Sequence, residues 1–129
     1  RSKFFSQLLA ISRWRPLRLA ARIFFKHMSH RLPLKNLDEN DHWVAFHHPQ
    51  PAYPLHILIL PKQGILTLSE APEGQPALYA ALFAIIQDLI KEFNLDTRGY
   101  RLVTNGGPNQ SLPQWHWHLI SGEIEEVNA

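Results

Sequence analysis

The stretch Gln114-Trp115-His116-Trp117-His118-Leu119-Ile120 alternates strictly as far as Leu119. On a strand, successive side chains point to opposite faces. Gln114, His116 and His118 are therefore expected on one face, and Trp115, Trp117 and Leu119 on the other. Two indoles and a leucine can pack on a core while the imidazoles look outward. An ordinary solvent-facing strand with two histidines has the same pattern, so the upstream residues matter. Asn105-Gly106-Gly107-Pro108-Asn109-Gln110-Ser111 is a glycine- and amide-rich turn, able to aim backbone N–H groups and a hydroxyl at an anion. It leads into the histidine strand.

Working outward, the 129 residues suit one domain with a real core. Apolar content of 45% and charged content of 19% are ordinary for a globular protein. With no cysteine, disulfides, thiolate nucleophiles and cysteine-zinc sites are excluded. No apolar run reaches the ~20 residues a bilayer-spanning helix needs. The net charge of +2 conceals an asymmetry: residues 1–37 carry nine of the thirteen Lys/Arg and no acid, and residues 38–129 carry four bases and all eleven acids.

The basic segment reads as two pieces. Residues 1–15 interleave bases with Phe4, Phe5, Leu8, Leu9, Ile11 and Trp14. Pro16 then breaks the pattern and can open a helix over residues 17–28. On that helix Leu17, Ala20, Ala21, Phe24 and Met28 line one side, and Arg18, Arg22 and Lys26 another. A basic amphipathic helix suits docking on its own domain with the arginines in water. It also suits a membrane surface, an RNA-phosphate patch or a targeting peptide.

Residues 32–37 and 42–47 read as the first two strands, with Asp38-Glu39-Asn40-Asp41 as the polar turn between them. Prolines 49, 51 and 54 exclude a regular ladder over residues 48–54, leaving a loop of defined shape. Residues 55–60 form an apolar run closed by Pro61-Lys62, interrupted by one polar residue, His56. Residues 63–73 are a linker with a short helical turn at 66–69. Residues 76–93 form the longest helix, with Leu78, Leu82, Ile85, Ile86, Leu89 and Phe93 at 3.6-residue spacing. Residues 100–104 are the strand that delivers the Asn105 turn. The order predicts an α+β fold: an antiparallel sheet with a long crossover helix and an N-terminal basic helix.

Asn105, Gly107 and Gln110-Ser111, followed by Gln114-x-His116-x-His118 and two apolar residues, resemble the signature of the histidine-triad superfamily of nucleotide hydrolases and transferases. Two departures stand out. Gln114 occupies the place of the first histidine, and the turn is about two residues short, with Asn109 near a usual glycine. Pro54-x-His56 followed by four apolar residues and Pro61-Lys62 matches the same family. So do Ile23-Phe24-x-Lys26, Leu32-Pro33-x-Lys35, Asp41 and Ala45-Phe46-His47, which follow the opening of its nucleotide-binding branch without a gap. The resemblance covers roughly residues 18–122. It divides the chain into a basic extension, residues 1–17, and a nucleotide-binding domain, residues 18–129.

The resemblance implies a base pocket from Ile23, Phe24, His27 and Phe46. It puts His48 where the family usually has a ribose-binding aspartate, and it gives His56 an active-site role. A neutral imidazole is a good nucleophile toward phosphorus near pH 7, its unperturbed pKa being ~6.5. Such a site needs the other ring nitrogen held, donors for the phosphoryl oxygens and a proton source for the leaving group. His116 is the expected nucleophile. His118, Ser111 and the N–H groups around Gly107 and Gln110 are expected on the phosphate, with Asn105 on the phosphate or leaving-group side. Gln114 can serve His116 through its backbone carbonyl.

The leading expectation is a nucleotidyl hydrolase or transferase acting on a phosphoramidate or dinucleoside polyphosphate through a nucleotidyl-histidine. No metal or other cofactor is required. A nucleotide-binding regulatory module with reduced catalysis is the alternative, motivated by Gln114 and His48. A divalent-metal protein using His116, His118 and His56 ranks last, because metal-bound imidazoles usually lean on carboxylates or carbonyls and no acid is near in sequence. The expected partner is a purine nucleotide, with no specific nucleic-acid binding. A homodimer and weak membrane-surface contact through residues 1–15 are compatible with the reading. The expected location is cytoplasmic, with peripheral attachment or targeting open for the basic leader.

Overall fold

Five short strands form one sheet, two of them, residues 43–47 and 55–61, buried along nearly their whole length. The structure, a computed structural model, describes residues 36–123. Its strands are β1 (Asn36–Glu39), β2 (Trp43–His47), β3 (Leu55–Pro61), β4 (Arg101–Thr104) and β5 (Trp117–Ser121). They form an antiparallel sheet in the order β1-β2-β3-β5-β4. Between β3 and β4 in sequence come a 3-10 turn at Leu68–Glu70, the helix α1 (Pro76–Glu92) and the short helix α2 (Leu95–Arg98). Because β5 is antiparallel to both β3 and β4, those two run parallel. α1 is thus the crossover between parallel strands that leave a gap, and β5 fills it.

α1 starts at Pro76, whose missing N–H costs nothing in a first turn. It buries Leu78, Leu82, Ile85, Ile86 and Leu89. These pack with Trp43, Ala45, Leu55, Ile57, Ile59, Trp115 and Leu119 in one cluster. Trp43 stands edge-on to Trp115, with ring centroids 5.3 Å apart, and its Nε1 donates to the Leu78 carbonyl at 2.7 Å. That bond satisfies the only polar atom of a fully buried side chain and ties β2 to α1. Among the described residues no helix is long and apolar enough to cross a membrane.

Three expectations are corrected. β1 occupies residues 36–39, so Asp38 and Glu39 lie in a strand instead of a turn. β1 is an edge strand with partly exposed residues, where charged side chains remain hydrated. The reversal is made by Asn40, whose Oδ1 accepts the N–H groups of His42 and Trp43 and whose Nδ2 donates to the Ala81 carbonyl of α1. α2 was not anticipated. Asn94, in the left-handed region at φ 55°, ends one helix and opens the next so that Leu95 is fully buried.

The third correction concerns residues 114–120. The ladder begins only at Trp117. Pro113 has no N–H to give, and the Trp115 N–H donates to the Ile65 carbonyl at 2.9 Å. The segment before β5 is therefore stapled to the linker after β3. Residues 1–35 and 124–129 lie outside the described residues. With them lie the basic leader, the helix expected over 17–28, the first part of the strand expected over 32–37, and Ile23, Phe24 and His27.

Candidate active site

Cross-strand register sets the site. Phe46 faces Leu58, Leu58 faces His118, and His118 faces Val103, making one row across four strands. His56 lies two residues before Leu58 and is therefore on the same face, opposite Ile120. The long separation of residues 56 and 118 is closed by this insertion of β5 beside β3.

The hydrogen bonds dictate where the ring protons sit. The Ala52 backbone N–H can only donate, and it lies 3.0 Å from His56 Nδ1. His56 Nδ1 is thus the acceptor and Nε2 carries the proton. His56 Nε2 lies 2.9 Å from His118 Nδ1, so His56 donates and His118 keeps its own proton on Nε2. The chain Ala52 N–H, His56, His118 ends in an N–H that points beyond the pair. His48 is fixed similarly: its Nδ1 accepts the Gln50 N–H at 2.9 Å, and its backbone N–H donates to the His56 carbonyl at 2.7 Å.

His116 stands just ahead of β5, almost fully buried. Its Nδ1 is 2.7 Å from the Gln114 carbonyl oxygen. A carbonyl can only accept, so Nδ1 bears the proton and Nε2 presents a lone pair. Thr104 Oγ1 donates to the His116 carbonyl at 2.8 Å and so ties the residue to β4. The His116 and His118 rings meet edge to face with centroids 4.9 Å apart.

Gln114 corrects the face assignment. Its side chain is buried and turned toward the linker, with Nε2 donating to the carbonyls of Ile65 at 2.8 Å and Trp115 at 3.1 Å. Only its backbone oxygen reaches His116. The strict alternation fails at 114 because residues 114–116 are not in the ladder.

Four imidazoles share this small volume, and their basicity falls accordingly. His118 is pushed down to about 3, first by burial, then by the positive charges that His116, His56 and His48 would carry. His48 falls to about 4 through burial and then repulsion from His56 and His116. His56 is lowered by burial and by His116. His116 is lowered by burial, partly offset by the Gln114 carbonyl, which favours the protonated ring. All four are neutral at pH 7.

Other expected residues fall around this centre. Phe46 is buried in the same row as His118. Gly107 opens a 3-10 turn at φ 57°, a left-handed conformation that suits glycine. Gln110 is committed to the loop, its Nε2 donating to the carbonyls of Leu66 and Leu112. Ser111 and Asn105 are half-buried, and neither side chain forms a hydrogen bond among the described residues. Sequence reasoning missed Tyr53, which packs edge-on against His56 at 5.5 Å, and the Ala52 N–H. The prolines around them signalled a shaped loop without saying what it would touch.

The HIT domain model matches residues 30–124. The chain belongs to the HIT family. An uncharacterized HIT-like protein of Synechococcus elongatus is 36% identical over 102 residues, covering 78% of this chain and 89% of that one. A HIT family hydrolase from Legionella pneumophila Philadelphia 1 superposes with a TM-score of 0.70 at 27% identity, covering 80% of this chain and 95% of that one. A histidine triad nucleotide-binding protein from Candida albicans gives a TM-score of 0.68 at 25% identity, covering 83% and 81%. The HIT fold and the antiparallel sheet expected from sequence are therefore shared.

Proposed function

We infer that this HIT protein is a nucleotidyl hydrolase or transferase acting on purine nucleoside 5′-phosphate derivatives, of which phosphoramidates and dinucleoside polyphosphates are the candidate classes. The observation that carries the reading is the 2.7 Å contact between His116 Nδ1 and the Gln114 carbonyl, which leaves Nε2 as a neutral, oriented nucleophile. Nε2 attacks phosphorus and the bond to the leaving group breaks. The leaving group takes a proton from the Ser111 side or from solvent. Water then attacks phosphorus in the second step, and His116 departs neutral. His118 Nε2–H donates to a phosphoryl oxygen, with its tautomer held by His56. The N–H groups around Gly107 and the Asn105 side chain serve the phosphate, and Phe46 serves the base. The reaction needs no metal, because attack, charge stabilisation and proton transfer are all assigned to protein groups and water.

Two relatives' descriptions support this at a coarser level: the Legionella protein is called a hydrolase and the Candida protein nucleotide-binding. The test is intact-mass spectrometry of the full chain mixed with an adenosine phosphoramidate. Wild type should gain one nucleotidyl group transiently. His116→Ala should gain none and should keep the wild-type circular dichroism, because the core face is formed by Trp115 and Leu119. A His116→Ala protein retaining more than about a tenth of wild-type kcat, a barrier change of only ~1.4 kcal/mol, overturns the covalent reading.

A further inference from the structure

We propose that His48, His56 and His118 together form a site for one divalent transition-metal ion of the zinc, cobalt, nickel or copper class. One ring nitrogen from each of the three lies within 4.8 Å of the other two. His56 lies on β3 and His118 on β5, and His48, the residue after β2, is held beside β3 by its N–H to the His56 carbonyl at 2.7 Å. The set differs from the one adjacency suggests. His116 is engaged at Nδ1 by Gln114 and stands outside it.

Neutral imidazole is the ligand these metals favour, and only its deprotonated nitrogen binds. Each of the three rings already has an unprotonated nitrogen, since Nδ1 of His48, His56 and His118 each accepts a hydrogen bond. At metal–nitrogen distances of about 2.0–2.1 Å, tetrahedral ligands stand about 3.3 Å apart. The His56 Nε2 to His118 Nδ1 contact of 2.9 Å must open slightly. The widest separation in the trio must close by no more than about 1.5 Å from its 4.8 Å limit to reach that tetrahedral spacing. The His48 and His56 rings lie tilted by 33° with centroids 4.3 Å apart, so His48 must also turn about its Cβ–Cγ bond to aim a lone pair.

The ion takes the place of the proton between His56 and His118. His56 moves its proton from Nε2 to Nδ1 through solvent, and the Ala52 N–H releases that nitrogen. Proton number is unchanged. The exchange falls on residues 49–54, which lie outside the sheet ladder. Three protein ligands leave a fourth position for water or an anionic oxygen. Binding is independent of the nucleotidyl-transfer reading.

The probes are Zn2+ by calorimetry and Co2+ by visible absorption, titrated into the full chain at pH 7. One equivalent is expected to bind, with Co2+ showing the intense visible bands of a tetrahedral site. His48→Gln and His118→Gln should each weaken binding at least tenfold. His116→Ala and the exposed-histidine control His47→Ala should bind as wild type does. Circular dichroism of every variant reports its fold, and if His118→Gln is unfolded, His48→Gln at the rim alone decides. Unaltered affinity in folded His48→Gln, or no saturation by about 0.1 mM ion in wild type, overturns the site. Because His118 serves both roles, saturating Zn2+ should also slow wild-type turnover; that readout rests on the catalytic reading, whereas the titrations do not.

Discussion

Gln114 divides its work between side chain and main chain. The carbonyl oxygen holds His116 Nδ1–H, while the amide is spent on Ile65 and Trp115. The first position of the histidine triad therefore touches its neighbour only through the backbone, which every residue type possesses. Gln114→Ala should keep kcat within about tenfold of wild type, ~1.4 kcal/mol in barrier. It should nevertheless lower stability by about 0.5–1.5 kcal/mol for each of the two hydrogen bonds the amide makes, to Ile65 and Trp115, while the Ile65 carbonyl keeps the Trp115 N–H. Gln114→His should also stay within tenfold. Single-turnover hydrolysis of an adenosine phosphoramidate and urea unfolding check the two halves separately. A hundredfold rise in Gln114→His would show that the wild type lacks a side chain it needs, and would favour a binding module.

At the level of the element, the end of β5 and the loop before β3 are pressed together. Gly122 has φ 89°, and a Cβ built on it would stand 2.7 Å from Pro54 Cγ. The obstacle is a rigid ring in the loop whose Ala52 N–H orients His56. Gly122→Ala should cost about 1–3 kcal/mol through the combination of strain and clash. Urea unfolding measures it, and a loss under a few tenths of a kcal/mol would mean the loop moves aside. β5 also carries an unpaid polar group. The Trp117 Nε1 is buried without an acceptor among the described residues, whereas Trp43 and Trp115 have the Leu78 carbonyl and Thr104 Oγ1. The structure provides no account of that exception.

For the whole molecule, four histidines with lowered basicity couple folding to pH. In the unfolded chain each titrates near ~6.5. In the folded state each binds its proton only at lower pH, to about 4 for His48 and about 3 for His118. Between these limits the unfolded state holds more protons, so stability rises with pH. Their contribution is complete above about pH 6.5 and is lost progressively as pH falls toward 3–4. Thermal melts from pH 7.5 to 4.5 should show Tm falling by several degrees, about 4–8 °C for each kcal/mol in a domain of this size. The double variant His48→Gln, His118→Gln should decline less steeply. A wild-type Tm that is flat across the interval would contradict the shifts.

Local pattern was enough for the long helix and the central strand, though not for α2. The 3.6-residue spacing of Leu78, Leu82, Ile85 and Leu89 predicts α1 within a residue of its end, and the apolar run after Pro54 predicts β3. The triad signature also carried the family, because it is a short motif in contiguous residues. What sequence alone misplaced were features set by partners far along the chain. β1 tolerates acids because it is an edge. β5 starts late because Ile65 claims the Trp115 N–H, and that same carbonyl takes the Gln114 amide off the face that alternation assigned to it. The pairing of His56 with His118, and of both with His48, depends on β5 entering between β3 and β4. Periodicity reports which face of a strand is apolar; which strand lies beside it follows from non-local packing against α1, and only that packing brings three distant imidazoles within reach of one another.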